Sequence, residues 1–120
     1  MNNRPTVFII KEQARRTDTG NEPMDYSPAM AYGDIEFITK TDMPSYPNSS
    51  IQLAWERDVE RFVDRYDPDR DMIITTGQPT AIFAVGHALG LVGKSPRFLV
   101  WRREQNQYRV LDYTPPVIVQ

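Results

Sequence analysis

The sequence has no cysteine and only one histidine, His87. Without cysteine there can be no disulfide staples, thiolate zinc sites, iron–sulfur clusters or cysteine nucleophiles. With one histidine, a multi-histidine metal site cannot be built within one chain, which leaves only carboxylate sites for calcium or magnesium. No cofactor is expected. An excess of one charge sign is missing too: 14 Lys and Arg stand against 16 Asp and Glu, a formal net charge of −2. Nothing in that balance calls for nucleic acid or an anionic membrane as partner, although a local basic patch stays open. The longest apolar run, Ala81 to Val92, is interrupted by Gly86, His87 and Gly90 and is too short to span a bilayer. Met1-Asn2-Asn3-Arg4-Pro5 lacks the apolar stretch of a signal peptide, so cytoplasmic residence is expected. At 120 residues the chain fits one domain.

Hydrophobic periodicity then sets out the elements. Thr6-Val7-Phe8-Ile9-Ile10-Lys11 is β-branched and aromatic and reads as a first strand. Glu12 to Tyr32 is polar, holds Gly20, Pro23 and Pro28, and shows no sustained period, so a long loop is expected at about 12–33. Its tip is expected near Arg15 to Asn21. Met24, Tyr26, Met30 and Tyr32 suggest that its return leg packs against something. Asp34 to Lys40 alternates polar and apolar, as a second strand with one solvated face would.

Ser49 is positioned to cap a helix, with Gln52 in the capping-box place. Ile51, Trp55, Val59, Phe62, Val63 and Tyr66 then form one apolar stripe opposite a charged face, and Pro68 ends the helix. Asp71 to Thr75 is a short apolar run suited to a central strand. Pro79 fits the first position of a second helix, Thr80 to Val92, which is apolar almost all round and therefore expected to be buried, in the domain or against another chain. Arg97 to Arg103 and Gln107 to Tyr113 read as a terminal hairpin. The expected fold is α/β (α+β mixed): a single mixed sheet of about five strands in the order β-β-α-β-α-β-β, with a parallel centre.

Five features could carry chemistry, each beside a plainer reading. Thr75, Thr76, Gly77, Gln78 and Thr80 form a strand-to-helix turn, where exposed amides favour anions. The turn matches neither a Walker nor a dinucleotide motif, Pro79 deletes one amide, and an ordinary capped turn explains it. His87 would need a carboxylate partner to act catalytically, and the plainer reading is a partly buried, hydrogen-bonded histidine. Gly86 and Gly90, four apart with Ala84 and Ala88 nearby, permit close backbone approach, by the domain's own sheet or by a second copy. Arg97, Trp101, Arg102, Arg103, Tyr108 and Arg109 could stack single-stranded nucleic acid, or simply protect an edge strand with charge. Asp64, Asp67, Asp69 and Asp71 lack the glycine and distal glutamate of a calcium loop and read as a polar turn.

Three segments carry a resemblance. Asp25-Tyr26-Ser27-Pro28-Ala29-Met30-Ala31-Tyr32-Gly33-Asp34, Thr76-Gly77-Gln78-Pro79-Thr80-Ala81-Ile82 and Leu99-Val100-Trp101-Arg102-Arg103 resemble small uncharacterised proteins of tailed bacteriophages and prophages. In those, aspartates stand where this chain has Gln78 and Arg102. The resemblance implies a phage accessory protein and no particular activity.

The leading expectation is a non-enzymatic interaction domain that forms a homo-oligomer, a dimer first, or binds a protein partner. Phe83, Gly86, His87, Gly90 and Trp101 are its interface candidates. The alternative is a small-molecule binder or enzyme, for a nucleotide or other anion, using Thr75, Thr76, Gly77, Gln78, Thr80 and His87. Nucleic-acid binding on the hairpin ranks third.

Overall fold

The computed structural model describes residues 4–47 and 49–117, side chains excepted at 14–17, Pro23 and Ser49. The expected cap by Ser49 and the packing of Ile118 and Val119 lie outside the described residues.

A five-stranded sheet forms the centre. Its strands are β1 (Thr6–Ile9), β4 (Asp34–Phe37), β5 (Met72–Ile74), β6 (Arg97–Arg102) and β7 (Gln107–Asp112), in the spatial order β4-β1-β5-β6-β7. β1 runs parallel to β4 and β5, β5 runs parallel to β6, and β7 closes the sheet antiparallel to β6. The mixed five-stranded sheet and its two helices are those the sequence predicts. The continuous apolar runs of β1 and β5 occupy the buried middle of the sheet, as expected for strands covered on both faces.

The two faces are covered differently. Helices α1 (Ser49–Arg65) and α2 (Pro79–Leu91) pack on one. There Phe8, Ile10 and Ile73 of the sheet side meet Trp55, Val59, Phe62 and Val63 of α1 and Ala81, Val85 and Leu89 of α2. Phe8 and Phe62 stack edge to face at 4.8 Å. The other face is covered by irregular chain: Tyr26 and Ala29 close over Val7, Ile9, Met72, Ile74 and Leu99.

That cover comes from the stretch expected to be a long loop, and here the structure differs. Residues 14–23 fold into a two-stranded hairpin, β2 (Ala14–Thr17) and β3 (Gly20–Pro23), outside the main sheet, and Ser27–Ala31 forms a 3-10 turn. The hairpin strands carry ARRT and GNEP, with no apolar alternation to announce them. The return leg does pack, through Tyr26 and Ala29, whereas Met24 and Met30 stay largely exposed. Gly33 is where this leg rejoins the sheet. A Cβ there would lie 2.3 Å from the Pro5 carbonyl oxygen, so only glycine allows the approach.

At the amino ends of β1 and β5 the buried carboxylate of Asp71 ties three segments together. It accepts from the Thr6 amide at 2.9 Å, the Asp67 amide at 2.9 Å and the Arg70 guanidinium at 3.2 Å. Among the described residues no acidic or histidine cluster could hold a metal ion. No described helix is long and apolar enough to cross a membrane.

Candidate ligand pocket and helix face

The carboxyl ends of β5 and β6 open into a cavity of about 370 Å³ on the face away from the helices. Small-molecule sites span roughly 300–1,000 Å³ and favour such strand ends in parallel sheets. The floor is Ile74 and Leu99. Trp101 and Tyr108, directly paired across β6 and β7, supply aromatic rings that meet edge to face at 4.9 Å. The covering segment contributes Met24, Asp25, Tyr26 and Pro28, and the turn after β5 contributes Thr75 and Thr76.

The polar groups of this cavity are unevenly satisfied. Asp25 accepts from the Ser27 amide at 2.9 Å, and Ser27's hydrogen bonds, side chain first, hold its carboxyl below the usual range. Tyr26 is only 8% exposed, yet its hydroxyl has no partner, and the buried hydroxyl of Thr76 has none either. Tyr108 is pushed above the ordinary phenol value, first by burial and then by its neighbours Tyr26 and Asp25. Phenols and a carboxylate thus converge on one apolar space. A hollow of about 600 Å³ lies at the ends of β1 and β4, but there the Thr39 hydroxyl already donates to the Ile10 carbonyl and Lys11 faces Asp42 at 3.5 Å.

The six predicted ligand residues do not form one site. Thr75 and Thr76 reach the pocket. Gly77, at φ +131°, turns the chain over the end of β1, where a Cβ would meet Gln13 Nε2 at 3.4 Å. Gln78 is a strut: it accepts from the Met43 amide at 2.9 Å and donates to the Met43 carbonyl at 3.0 Å. Thr80 is exposed on the first turn of α2. His87 lies about 10 Å further along that helix, exposed on its outer side rather than partly buried as expected.

The predicted interface residues divide differently. Phe83, Gly86, His87 and Gly90 share the outer stripe of α2, at spacings of three and four. Phe83 is 84% exposed, Leu91 at the end of the stripe is 74% exposed, and a Cβ on Gly86 or Gly90 would touch nothing within 4 Å. The glycines therefore serve no contact with the domain's own sheet. Trp101 lies apart, on the opposite face of the sheet. The hairpin also separates its aromatics from its cations: Trp101 pairs with Tyr108, while Val100 pairs with Arg109 on the other side, next to Arg102. Arg97 is engaged with Asp112 at 2.7 Å.

Tyr26 was not among the predicted site residues, and Tyr108 was singled out only as a stacking residue for nucleic acid on the hairpin. The one signal for them was aromatic residues inside an otherwise polar stretch and on an edge hairpin.

No curated protein and no solved structure is detectably similar to this chain. A family model described as phage Pam3 gp32-like protein matches residues 5–115, which takes in the whole sheet, both helices and the covering segment. The chain is therefore a member of the phage Pam3 gp32-like protein family.

Proposed function

We propose that this phage protein is an accessory interaction domain of the host-cell cytoplasm that pairs with a second copy of itself through the outer face of α2. One observation carries the reading: Phe83 stands 84% exposed beside two glycines whose Cβ positions are open. The face is self-complementary. A two-fold axis between Gly86 and His87 sets Phe83 of each copy over Gly90 of the other, a ring into a hollow, as an isologous contact requires. Pro79 to Leu91 contains no Asp, Glu, Lys or Arg, so nothing on α2 itself repels its twin or selects an oppositely charged partner. A standard interface buries about 800 Å² per partner, and α2 is only about 20 Å long. Val100 and Leu111, exposed on the same side of the sheet, would extend it.

Sedimentation velocity at micromolar concentration tests the reading. The expected result is a dimer that Phe83→Asp converts to a monomer of unchanged circular dichroism. A wild-type protein that stays monomeric throughout that range overturns it.

A further inference from the structure

We infer that the cavity at the ends of β5 and β6 is a binding site for an uncharged heteroaromatic ring bearing hydrogen-bond groups on its edge, the chemistry of a nucleobase or nucleoside. This is independent of dimerisation, because the cavity and α2 lie on opposite faces of the sheet.

Three observations converge. The first is the pair of orphan hydroxyls. Tyr26 Oη and Thr76 Oγ1 are buried, line the same cavity and have no partner. A hydroxyl can donate once and accept twice, and leaving a buried one without a partner is destabilising. A ligand edge carrying a donor and an acceptor satisfies them once the two side chains turn toward it. The second is the lining. Trp101, 41% exposed, and Tyr108 offer ring surfaces above an Ile74 and Leu99 floor. A flat ring gains buried area and stacking from such walls. The third is charge. Among the described residues no Lys or Arg lines the cavity, and the one carboxylate there, Asp25, is held in its charged form by Ser27. Against these described residues a phosphate would meet a negative charge and no cation, so the ring is expected to enter without one. Pro79 and Thr80 at the start of α2 do not line the cavity, so that helix end does not change this.

The test is calorimetric titration and thermal shift of the full chain with free nucleobases, nucleosides, their 5′-monophosphates and a short oligonucleotide. Binding to the native state must raise its melting temperature. At least one base or nucleoside is expected to bind, with its monophosphate weaker by about tenfold or more. Tyr26→Phe should weaken the ring's binding by about tenfold, the loss of one hydrogen bond of about 1.4 kcal/mol. The same variant should leave the melting temperature of the free protein unchanged or higher, since it removes a buried hydroxyl that bonds to nothing. Thr76→Val provides a second reading of the same kind. The inference is overturned if no base or nucleoside binds at millimolar concentration, if monophosphates bind as well as nucleosides, or if only the oligonucleotide binds. A Tyr26→Phe protein that is destabilised without ligand also overturns it, because the hydroxyl then has a partner within the chain.

Discussion

The two helices lie side by side on one face of the sheet, and their inner sides are alike. α1 buries Trp55, Val59, Phe62 and Val63, and α2 buries Ala81, Val85 and Leu89. Their outer sides are opposites. α1 shows solvent Glu56, Arg57, Glu60, Arg61 and Asp64, with Arg61 against Asp58 at 2.6 Å and Arg65 against Glu36 at 2.7 Å. α2 shows Phe83, Gly86, His87, Gly90 and Leu91. Packing against the sheet explains the body of α1, a buried stripe and a solvated one, although Ile51, expected in the buried stripe, and Leu53 stay exposed in its first turns. It explains only half of α2. Glycine inside a helix costs roughly 1 kcal/mol relative to alanine, and α2 carries two where no contact requires them. The difference separates residues that hold the fold from residues the fold does not need.

The comparison breaks or holds first in the shared core. Phe62 is buried between Phe8 and Tyr66. Phe62→Ala should cost about 3–5 kcal/mol in denaturant unfolding, from lost transfer energy plus the cavity left behind. A loss below about 1 kcal/mol would mean that α1 is not the sealed layer described. Asp71 comes next. Asp71→Ala strands the amides of Thr6 and Asp67 and leaves Arg70 unpaired, for an expected loss of about 2–4 kcal/mol. A neutral outcome would show that water replaces the carboxylate.

Alkaline pH reports on both faces of the sheet at once. Tyr66, just beyond α1, and Tyr108, in the pocket, are both raised above the ordinary 10.0, chiefly by burial. Tyr66 is also held in place by the Arg97 amide, which donates to its hydroxyl at 2.8 Å. A raised pKa means that the folded state keeps the proton longer than the unfolded chain. The stabilisation is therefore fully present below about pH 10 and is lost as pH climbs from there through the folded values. Melting temperature against pH should fall across that window while phenolate absorbance continues to grow. Flat stability above pH 10 would contradict the burial of these rings.

The elements with a strong period were legible. β1, α1, β5, α2 and the final hairpin follow from alternation, from an amphipathic stripe and from Pro79 at a helix start, and their grouping into a mixed sheet follows from strand–helix alternation. The segment 14–31 was not legible. β2 and β3 pair as an antiparallel ladder of residues with no apolar pattern, and Tyr26 is buried by tertiary contact with strands far along the chain. The pocket was hidden for the same reason. It joins residues 24–28, 74–76 and 99–108, and no spacing rule links them. The turn at Thr75 and Thr76 was visible as a candidate, but the sequence could not show that Gln78 is occupied by Met43 or that His87 points away. The outer face of α2 was half legible: its lack of charge was plain, while burial by the domain and exposure to a partner give the same pattern.

Gly86→Ala and Phe83→Ala have the smallest effects on the fold and discriminate most sharply between the helices. Within one chain, Gly86→Ala should stabilise by roughly 0.5–1 kcal/mol, because alanine favours the helix and its Cβ meets nothing. Phe83→Ala should change monomer stability by no more than about 0.5 kcal/mol, as an exposed residue does, against several for Phe62→Ala. Association reverses both signs. A methyl on Gly86 keeps the second helix at a distance, and loss of the Phe83 ring empties the contact, so each variant should dissociate sooner on dilution. Melting temperature measured at increasing protein concentration reads this directly, since a native dimer gains stability by mass action and a monomer does not. The wild type should climb with concentration and both variants should stay level. If Gly86→Ala climbs as steeply as the wild type, the glycines of α2 are not there for a second backbone, and the contrast with α1 loses its functional meaning.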